Sequence, residues 1–306
     1  MRFSIWPSLG QPWADVLEVT RHAEATGWDG VYVADHFMGD AGGGFGAVEN
    51  PMLEATAALP ALAMATDRLR LGTLVLGNTY RHPAVLANWA ATLDQLSGGR
   101  LLLGVGAGWQ ENEHEQYGIR LPPPGERIER FEEACHVWKG LLRQPTTTFA
   151  GVHYQLTDAI CAPKPVQSPL PLLIGGKGDR MLGVVARHAD AWNMWGLADV
   201  LAERGAVLDQ RCEAIDRDPA TIERSAQALV LLTDDRARAD AFLEQYRAAP
   251  RRAAIAGTAE DVSVEVAAWQ AAGLDEVIVP DFTLGTGAKR LDRMDAIIEQ
   301  VAPAFR

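Results

Sequence analysis

Leu69-Arg70-Leu71-Gly72-Thr73-Leu74-Val75-Leu76, then Pro83 to Leu96, then Leu101-Leu102-Leu103-Gly104-Val105: this stretch decides the fold. The first and last pieces are short apolar runs of strand length. The middle piece is an amphipathic stretch that opens on proline, which suits the first turn of a helix, and closes on Ser97-Gly98-Gly99. A strand, a helix and a second strand in this order predict a parallel β-α-β unit.

The same alternation extends in both directions. Upstream, Phe3 to Trp6 reads as a strand. Pro12 opens a helix in which Val16, Leu17, Thr20 and Ala23 recur at helical spacing until Gly27. Gly30-Val31-Tyr32-Val33-Ala34 is a second buried strand. A glycine-rich loop from Gly39 to Gly46 and a helix near Met52 to Ala65 follow it. Downstream, a long loop from Gly106 to Gly125 leads into a helix from Arg127 to Leu142. Leu170 to Ile174, Ala191 to Asn193, Ala226 to Leu232 and Glu276 to Val279 read as further strands. Helices are expected after Gly178, over Val200 to Ile215, Asp235 to Arg247, Glu260 to Ala272 and Arg290 to Val301. Between 144 and 169 the regularity lapses: Thr146, Thr147, Thr148, Phe149, Val152 and Tyr154 are β-formers broken by Gly151, and Pro163, Pro165 and Pro169 close an extended stretch. This reads as an inserted hairpin.

Eight strands, each followed by helical material, predict an α/β fold of the (β/α)8 TIM-barrel type, with an insertion near 144–169 and one domain over 1–306. The alternative is a doubly wound open sheet. Its dinucleotide fingerprint is missing, because the turn after the first strand is Ser8-Leu9-Gly10-Gln11-Pro12.

Composition narrows the function classes. Of 306 residues 48% are apolar and 22% charged, which is ordinary globular usage, and the formal net charge of -12 argues against nucleic acid or an anionic membrane surface as partner. Cys135, Cys161 and Cys212 are widely spaced and predict reduced thiols in a cytoplasmic protein. The first apolar run is too short for a signal peptide, and no run approaches the roughly 20 apolar residues of a membrane span. No metal is expected: His22, His114, His136 and His188 lack ligand spacing, and neither HExxH, a P-loop nor a serine nucleophile elbow occurs.

In such a barrel ligands bind at the C-terminal ends of the strands. After the second strand stand Asp35 and His36, a carboxylate that can accept from a ring N–H and an imidazole that can exchange a proton, or a capping Asp and a structural His. After the third come Asn78, Thr79, Tyr80, Arg81 and His82, a set of polar donors or simply a turn into the next helix. After the fourth, Gly106, Ala107 and Gly108 let backbone approach a flat ligand, Trp109 offers a stacking face and Asn112 a polar contact. After the fifth, Gly175-Gly176-Lys177-Gly178-Asp179-Arg180 opens a helix, whose free N–H groups suit a phosphate; an ordinary glycine-rich connection is the alternative. After the sixth come Asn193, Trp195 and Gly196. Trp6, Trp109, Trp192 and Trp195 are candidate walls of an aromatic substrate pocket.

These stretches together resemble the luciferase-like monooxygenase superfamily, in its coenzyme F420-dependent oxidoreductase branch. The resemblance is carried by Gly27-Trp28-Asp29-Gly30 through Asp35-His36-Phe37, by Leu71-Gly72 through Tyr80-Arg81-His82-Pro83, by Leu93 through Arg100, by Leu103-Gly104-Val105-Gly106-Ala107-Gly108-Trp109, and by Leu173-Ile174-Gly175-Gly176 with Ala189 through Asn193. It spans roughly residues 1 to 290. It implies a bulged third strand with a non-proline cis peptide at Leu74-Val75 behind the cofactor ring. It places Asp35 and His36 by that ring, with His36 as proton donor or base, and gives the ring to Gly106 through Asn112 and the phosphate to Gly175, Gly176, Lys177 and Gly178. It implies hydride transfer between the deazaflavin and a small organic substrate, and a homodimer. Trp109 stands where the family's sugar-phosphate dehydrogenases carry a proton-transferring Glu, which implies an apolar or aromatic substrate. The alternatives are an FMN-dependent monooxygenase on the same barrel and a non-catalytic flavin-binding protein.

Overall fold

The computed structural model describes residues 1–40, 46–247 and 252–306. Part of the Gly39 to Gly46 loop, positions 41–45, lies outside the described residues. In chain order the elements are β1 Arg2–Trp6, α1 Trp13–Thr26, β2 Gly30–Val33, α2 Ala55–Ala63, β3 Arg70–Thr73, β4 Leu76–Gly77, α3 Pro83–Leu96 and β5 Leu101–Gly106. There follow α4 Glu111–Tyr117, α5 Pro124–Arg143, β6 Thr147–Ala150, β7 Gln155–Ala159, β8 Leu172–Gly175, α6 Asp179–His188, β9 Ala191–Trp195 and α7 Ala198–Glu213. The chain ends with β10 Glu223–Gln227, β11 Leu229–Leu232, α8 Arg236–Arg247, β12 Ala254–Gly257, α9 Ala259–Ala271, β13 Glu276–Pro280 and α10 Ala288–Gln300. The strand order β3-β2-β1-β13-β10-β9-β8-β5-β4, with β3 also on β5, returns to its start. The fold is the parallel (β/α)8 barrel expected from the alternation, with β3 and β4 as two pieces of one stave.

The chain divides into two compact units. One comprises Met1–Ser8, Pro12–Tyr32 and Gly176–Arg306; the other comprises Leu9–Gln11 and Val33–Gly175. In the first, β1 pairs in parallel with β2 and β13, and β10 pairs with β13 and β9. The start of these strands is closed by Glu276, whose buried side chain accepts from the hydroxyls of Ser4 and Tyr32. A buried carboxylate needs such donors, and this one braces strand ends away from the rim. Leu229–Leu232 leaves the main sheet and pairs with β12 instead. The expected strand Ala226 to Leu232 is therefore two, and Ala254–Gly257 is an additional one.

In the second unit β5 is the centre, pairing with β3, β4 and β8. Its register shows why the third stave breaks. Gly72 faces Leu102 and Leu76 faces Val105, so four steps on one strand meet three on the other. That is a one-residue bulge. Thr73 fills the gap: its hydroxyl donates to the Gly104 carbonyl at 2.7 Å and accepts from the Gly104 N–H at 3.0 Å. A Cβ on Gly104 would meet the Thr73 carbonyl oxygen at 1.8 Å, so only glycine allows this approach. The Leu74-Val75 peptide at the bulge is cis. The helix α3 covers this sheet with Leu86, Ala87, Ala90, Ala91 and Leu93, the i, i+3, i+4 pattern read from the sequence. The insertion is the antiparallel hairpin β6–β7, anchored by Glu133 of α5, which accepts from the backbone N–H groups of Val152, His153 and Tyr154.

Candidate active site

Asp35, His36 and Phe37 follow the C-terminal end of β2, and the chain bends at Phe37. Their partners differ. Asp35 turns to Arg81, which grips both carboxylate oxygens at 2.7 and 2.9 Å, and it also accepts the Gly77 N–H at 2.9 Å. Arg81 bonds Glu54 as well. The Asp35 side chain is fully buried, and the doubled Arg contact neutralises it. Burial of Arg81 alone would lower its pKa, but Asp35 and Glu54 hold it above the ordinary value; Glu54 is held below the usual carboxylate range despite burial, by Thr56 and Arg81. Asp35 thus ties the end of β2 to the turn after β4, and it is not the partner of His36.

That partner is Glu113, on the first turn of α4. Its Oε1 lies 3.0 Å from His36 Nδ1 and also accepts the Tyr80 hydroxyl, while its Oε2 accepts the Phe37 N–H at 2.9 Å. Burial pushes the Glu113 carboxyl up, but the His36 ring, the Tyr80 hydroxyl and the Phe37 amide together bring it below the ordinary value. Tyr80 is pushed far upward by burial and by that carboxylate, so it stays a neutral donor. Trp109 packs against the His36 ring, with centroids 5.5 Å apart and planes at 78°.

At the bulge Val75 lies over bare backbone. A Cβ on Gly106 would come within 2.7 Å of Val75 Cγ2, and one on Gly175 within 3.0 Å of Val75 Cγ1. Leu74 is buried beside it, its N–H bonded to the Val33 carbonyl. Gly108 adopts a φ of 85° and comes so near Thr79 that a Cβ would meet Oγ1 at 2.6 Å; Arg127 holds its carbonyl at 2.8 Å. Asn78 is buried; its Nδ2 donates to the Tyr154 hydroxyl at 3.2 Å and its Oδ1 has no partner within the protein. Asn112 donates to the Gly39 carbonyl at 2.9 Å, with Gln110 beside it on the Met38 and Gly39 carbonyls, so α4 also pins the loop that follows Phe37. Ala107 is half-buried in the glycine turn.

The first unit holds the remaining expected residues. Trp6 stands at the C-terminal end of β1, 5.9 Å from the Trp195 ring and 5.2 Å from Phe282, and Arg252 lies over both Trp195 and Phe282. Trp192 is fully buried and donates its indole N–H to the Gly176 carbonyl at 2.7 Å, which makes it a support of the glycine turn rather than a wall. Gly176, with φ 132°, and Lys177 and Gly178 lead into α6 as the sequence predicts; Lys177 Nζ is 3.5 Å from the Trp195 carbonyl.

The structure places Asp35, His36, Leu74, Val75, Asn78, Gly106, Gly108 and Trp109 in the second unit, near the ends of β2, β4 and β5. Sequence reading missed the roles of Glu113, Tyr80 and Glu54, and of Phe282 and Arg252. One sequence signal for Glu113 was available: a Glu in the Asn112-Glu113-His114 stretch, directly after a glycine loop that already drew notice. Among the described residues no group of three or more His, Cys, Asp or Glu is placed to hold a metal ion. No helix among them is long and apolar enough to cross a membrane.

The luciferase-like monooxygenase family pattern matches residues 1–301. An F420-dependent glucose-6-phosphate dehydrogenase of Amycolatopsis mediterranei is 38% identical over 176 residues, 57% of this chain and 50% of that protein. One of the same name from Kineococcus radiotolerans is 33% identical over 222 residues, 71% and 64% of the two chains. The chain therefore spans about half to two thirds of the length of these curated relatives. Over 257 residues it is 30% identical to a Mycobacterium tuberculosis protein provisionally named a coenzyme F420-dependent oxidoreductase, 78% and 68% of the two chains. In fold it is similar to an F420-dependent secondary alcohol dehydrogenase solved with an F420-acetone adduct (TM-score 0.85, 21% identity, 100% and 99% coverage) and to the coenzyme F420-dependent tetrahydromethanopterin reductase of Methanopyrus kandleri (0.82, 18%, 100% and 99%). By the length of the match and the identity of these relatives, the chain belongs to the luciferase-like monooxygenase family.

Proposed function

We propose that the protein is a coenzyme F420-dependent oxidoreductase acting on a small organic substrate. The observation that carries the reading is the buried His36–Glu113 pair, set just past the end of β2 in the same unit as the glycine-backed Val75. The relatives' names supply the cofactor class; the residues present fit it. A flat tricyclic ring needs an apolar backing without projecting side chains, and Val75 between Gly106 and Gly175 offers one. Its pyrimidine edge brings N–H donors, and the partnerless, buried Asn78 Oδ1 is an acceptor for one. Gly176, Lys177 and Gly178 would take the phosphate, with N–H groups at the start of α6 and a lysine charge.

The deazaflavin, when bound, supplies hydride chemistry. The chain supplies the rest. His36 gives or takes the proton at the substrate oxygen, Asp35 and Arg81 fix the strand end that presents it, and Trp109 furnishes an apolar wall; in the other unit Trp6, Trp195 and Phe282 form an aromatic cluster of their own. Trp109, 43% exposed, leaves no acid at that position, which favours an apolar or aromatic substrate over a sugar phosphate. We further assign the protein to the cytoplasm, as one barrel domain over 1–306 that forms a homodimer; light scattering tests the last point. The functional test is an equilibrium titration of the protein with coenzyme F420 and with FMN, oxidised and reduced. Saturable binding of F420 supports the reading. Binding of FMN alone replaces it with a flavin monooxygenase, and tight binding without hydride exchange replaces it with a carrier.

A further inference from the structure

We propose that Glu113 is the positioning residue for His36, fixing which ring nitrogen meets the substrate, and that Tyr80 moderates it by sharing the same carboxylate oxygen. The proposal rests on the role given to His36 above, and its test does not need the cofactor. Glu113 is fully buried, and three donors converge on its two oxygens: His36 Nδ1 and the Tyr80 hydroxyl on Oε1, the Phe37 N–H on Oε2. An ionised carboxylate only accepts, so His36 Nδ1 carries the hydrogen. In the neutral ring the proton-accepting nitrogen is then Nε2. When a substrate O–H bond breaks, its electron pair stays on oxygen and the proton bonds to Nε2; the ring becomes an imidazolium ion-paired with Glu113. The reverse step returns the proton.

The neighbouring ionisable groups do not take over this role. Asp35, adjacent in the chain, is held by both Arg81 nitrogens, and Arg81 also holds Glu54. His114, from the same helix turn as Glu113, is committed through Nδ1 to the Gln110 carbonyl at 2.6 Å and through Nε2 to the Thr79 hydroxyl at 2.8 Å. Trp109 packs edge-on against the His36 ring and limits its rotation. Because Tyr80 and His36 compete for one oxygen, the two partners have opposite effects. Loss of the carboxylate removes the anion that stabilises the imidazolium. Loss of the Tyr80 hydroxyl leaves more charge on Oε1 for His36.

The experiment is heteronuclear NMR of the full-length protein labelled at its seven histidines, with His36 assigned through His36→Asn. Expected in the unsubstituted protein is the Nδ1–H tautomer at His36. Glu113→Gln admits the Nε2–H tautomer at His36, and Tyr80→Phe, a milder change, keeps the Nδ1–H tautomer and moves its Nδ1 proton resonance downfield as that hydrogen bond strengthens. An Nε2–H tautomer in the unsubstituted protein, or ring and Nδ1 proton resonances that neither variant moves, overturns the proposal. Should Glu113→Gln fail to fold, a Tyr80→Phe variant whose His36 Nδ1 proton resonance stays put or moves upfield overturns it alone. Failure of F420 to bind would instead remove the functional reading and leave the tautomer result standing.

Discussion

Replacing Arg81 with Met should cost the protein about 3 kcal/mol and should do so through Asp35. The Asp35 side chain is fully buried, and of the three hydrogen bonds it accepts two come from Arg81 and one from the Gly77 amide. Methionine keeps most of the stem's apolar contact and removes both guanidinium bonds. Breaking a buried pair from one side costs about 3–5 kcal/mol, since the surviving charge stays desolvated. The Arg81 side chain is 18% exposed, so water can reach part of the vacated space and the lower end applies. That is about two orders of magnitude in the folding equilibrium. Asp35→Asn in the Arg81→Met background removes the stranded charge and should recover about 1–2 kcal/mol, giving a coupling between the two positions well above zero. Urea unfolding followed by tryptophan fluorescence measures all four proteins of the cycle. An Arg81→Met variant within about 0.5 kcal/mol of the parent, or a cycle that is simply additive, would refute the claim that this pair ties the end of β2 to the turn after β4.

Other consequences follow from the same geometry. Glu54 and Glu113 both hold protons less tightly in the fold than an unfolded glutamate does, so their contribution is fully present above the ordinary glutamate range and is lost as pH falls through the depressed folded values; urea midpoints taken down through this range should drop, and drop less in Glu113→Gln. Gly106→Ala brings a methyl group to 2.7 Å from Val75 Cγ2, so F420 titration should show at least about tenfold weaker binding with the fold retained by circular dichroism. Glu133→Ala removes the acceptor of three backbone N–H groups in the hairpin, and amide hydrogen exchange at Val152, His153 and Tyr154 should accelerate while α3 and β5 stay protected.

How much of this was legible in the sequence depends on what kind of signal each part leaves. Pro83 to Leu96 was read to its observed ends because proline, an apolar stripe and a Ser-Gly-Gly stop all agree there. The α4 helix, Glu111–Tyr117, was read as loop. It is seven residues long and buries Glu113 and His114, so its inward face is polar and leaves no hydrophobic period. β12 was overlooked for a related reason: Ala254-Ile255-Ala256-Gly257 is too short and too small-sided to stand out. The adjacency of Asp35 and His36 suggested a mutual pair, yet each side chain has its own partner, and these come from 46 and 77 residues away. Pairings at that separation are set by the barrel's closure and not by any local pattern. The glycines at 104, 106 and 175 were visible as letters, but their purpose, to let the third stave bulge against β5 and to seat Val75, appears only once the register is known.

The most direct test of the central claim is anaerobic turnover of coenzyme F420, followed by its visible absorbance across a panel of small alcohols and carbonyl compounds, in the parent protein and in His36→Ala. The account predicts turnover by the parent with at least one member of the panel, and in His36→Ala retained F420 binding with a rate lower by about 10²–10⁴-fold. Unchanged turnover in His36→Ala, or a parent protein that binds FMN and leaves F420 untouched, would contradict it.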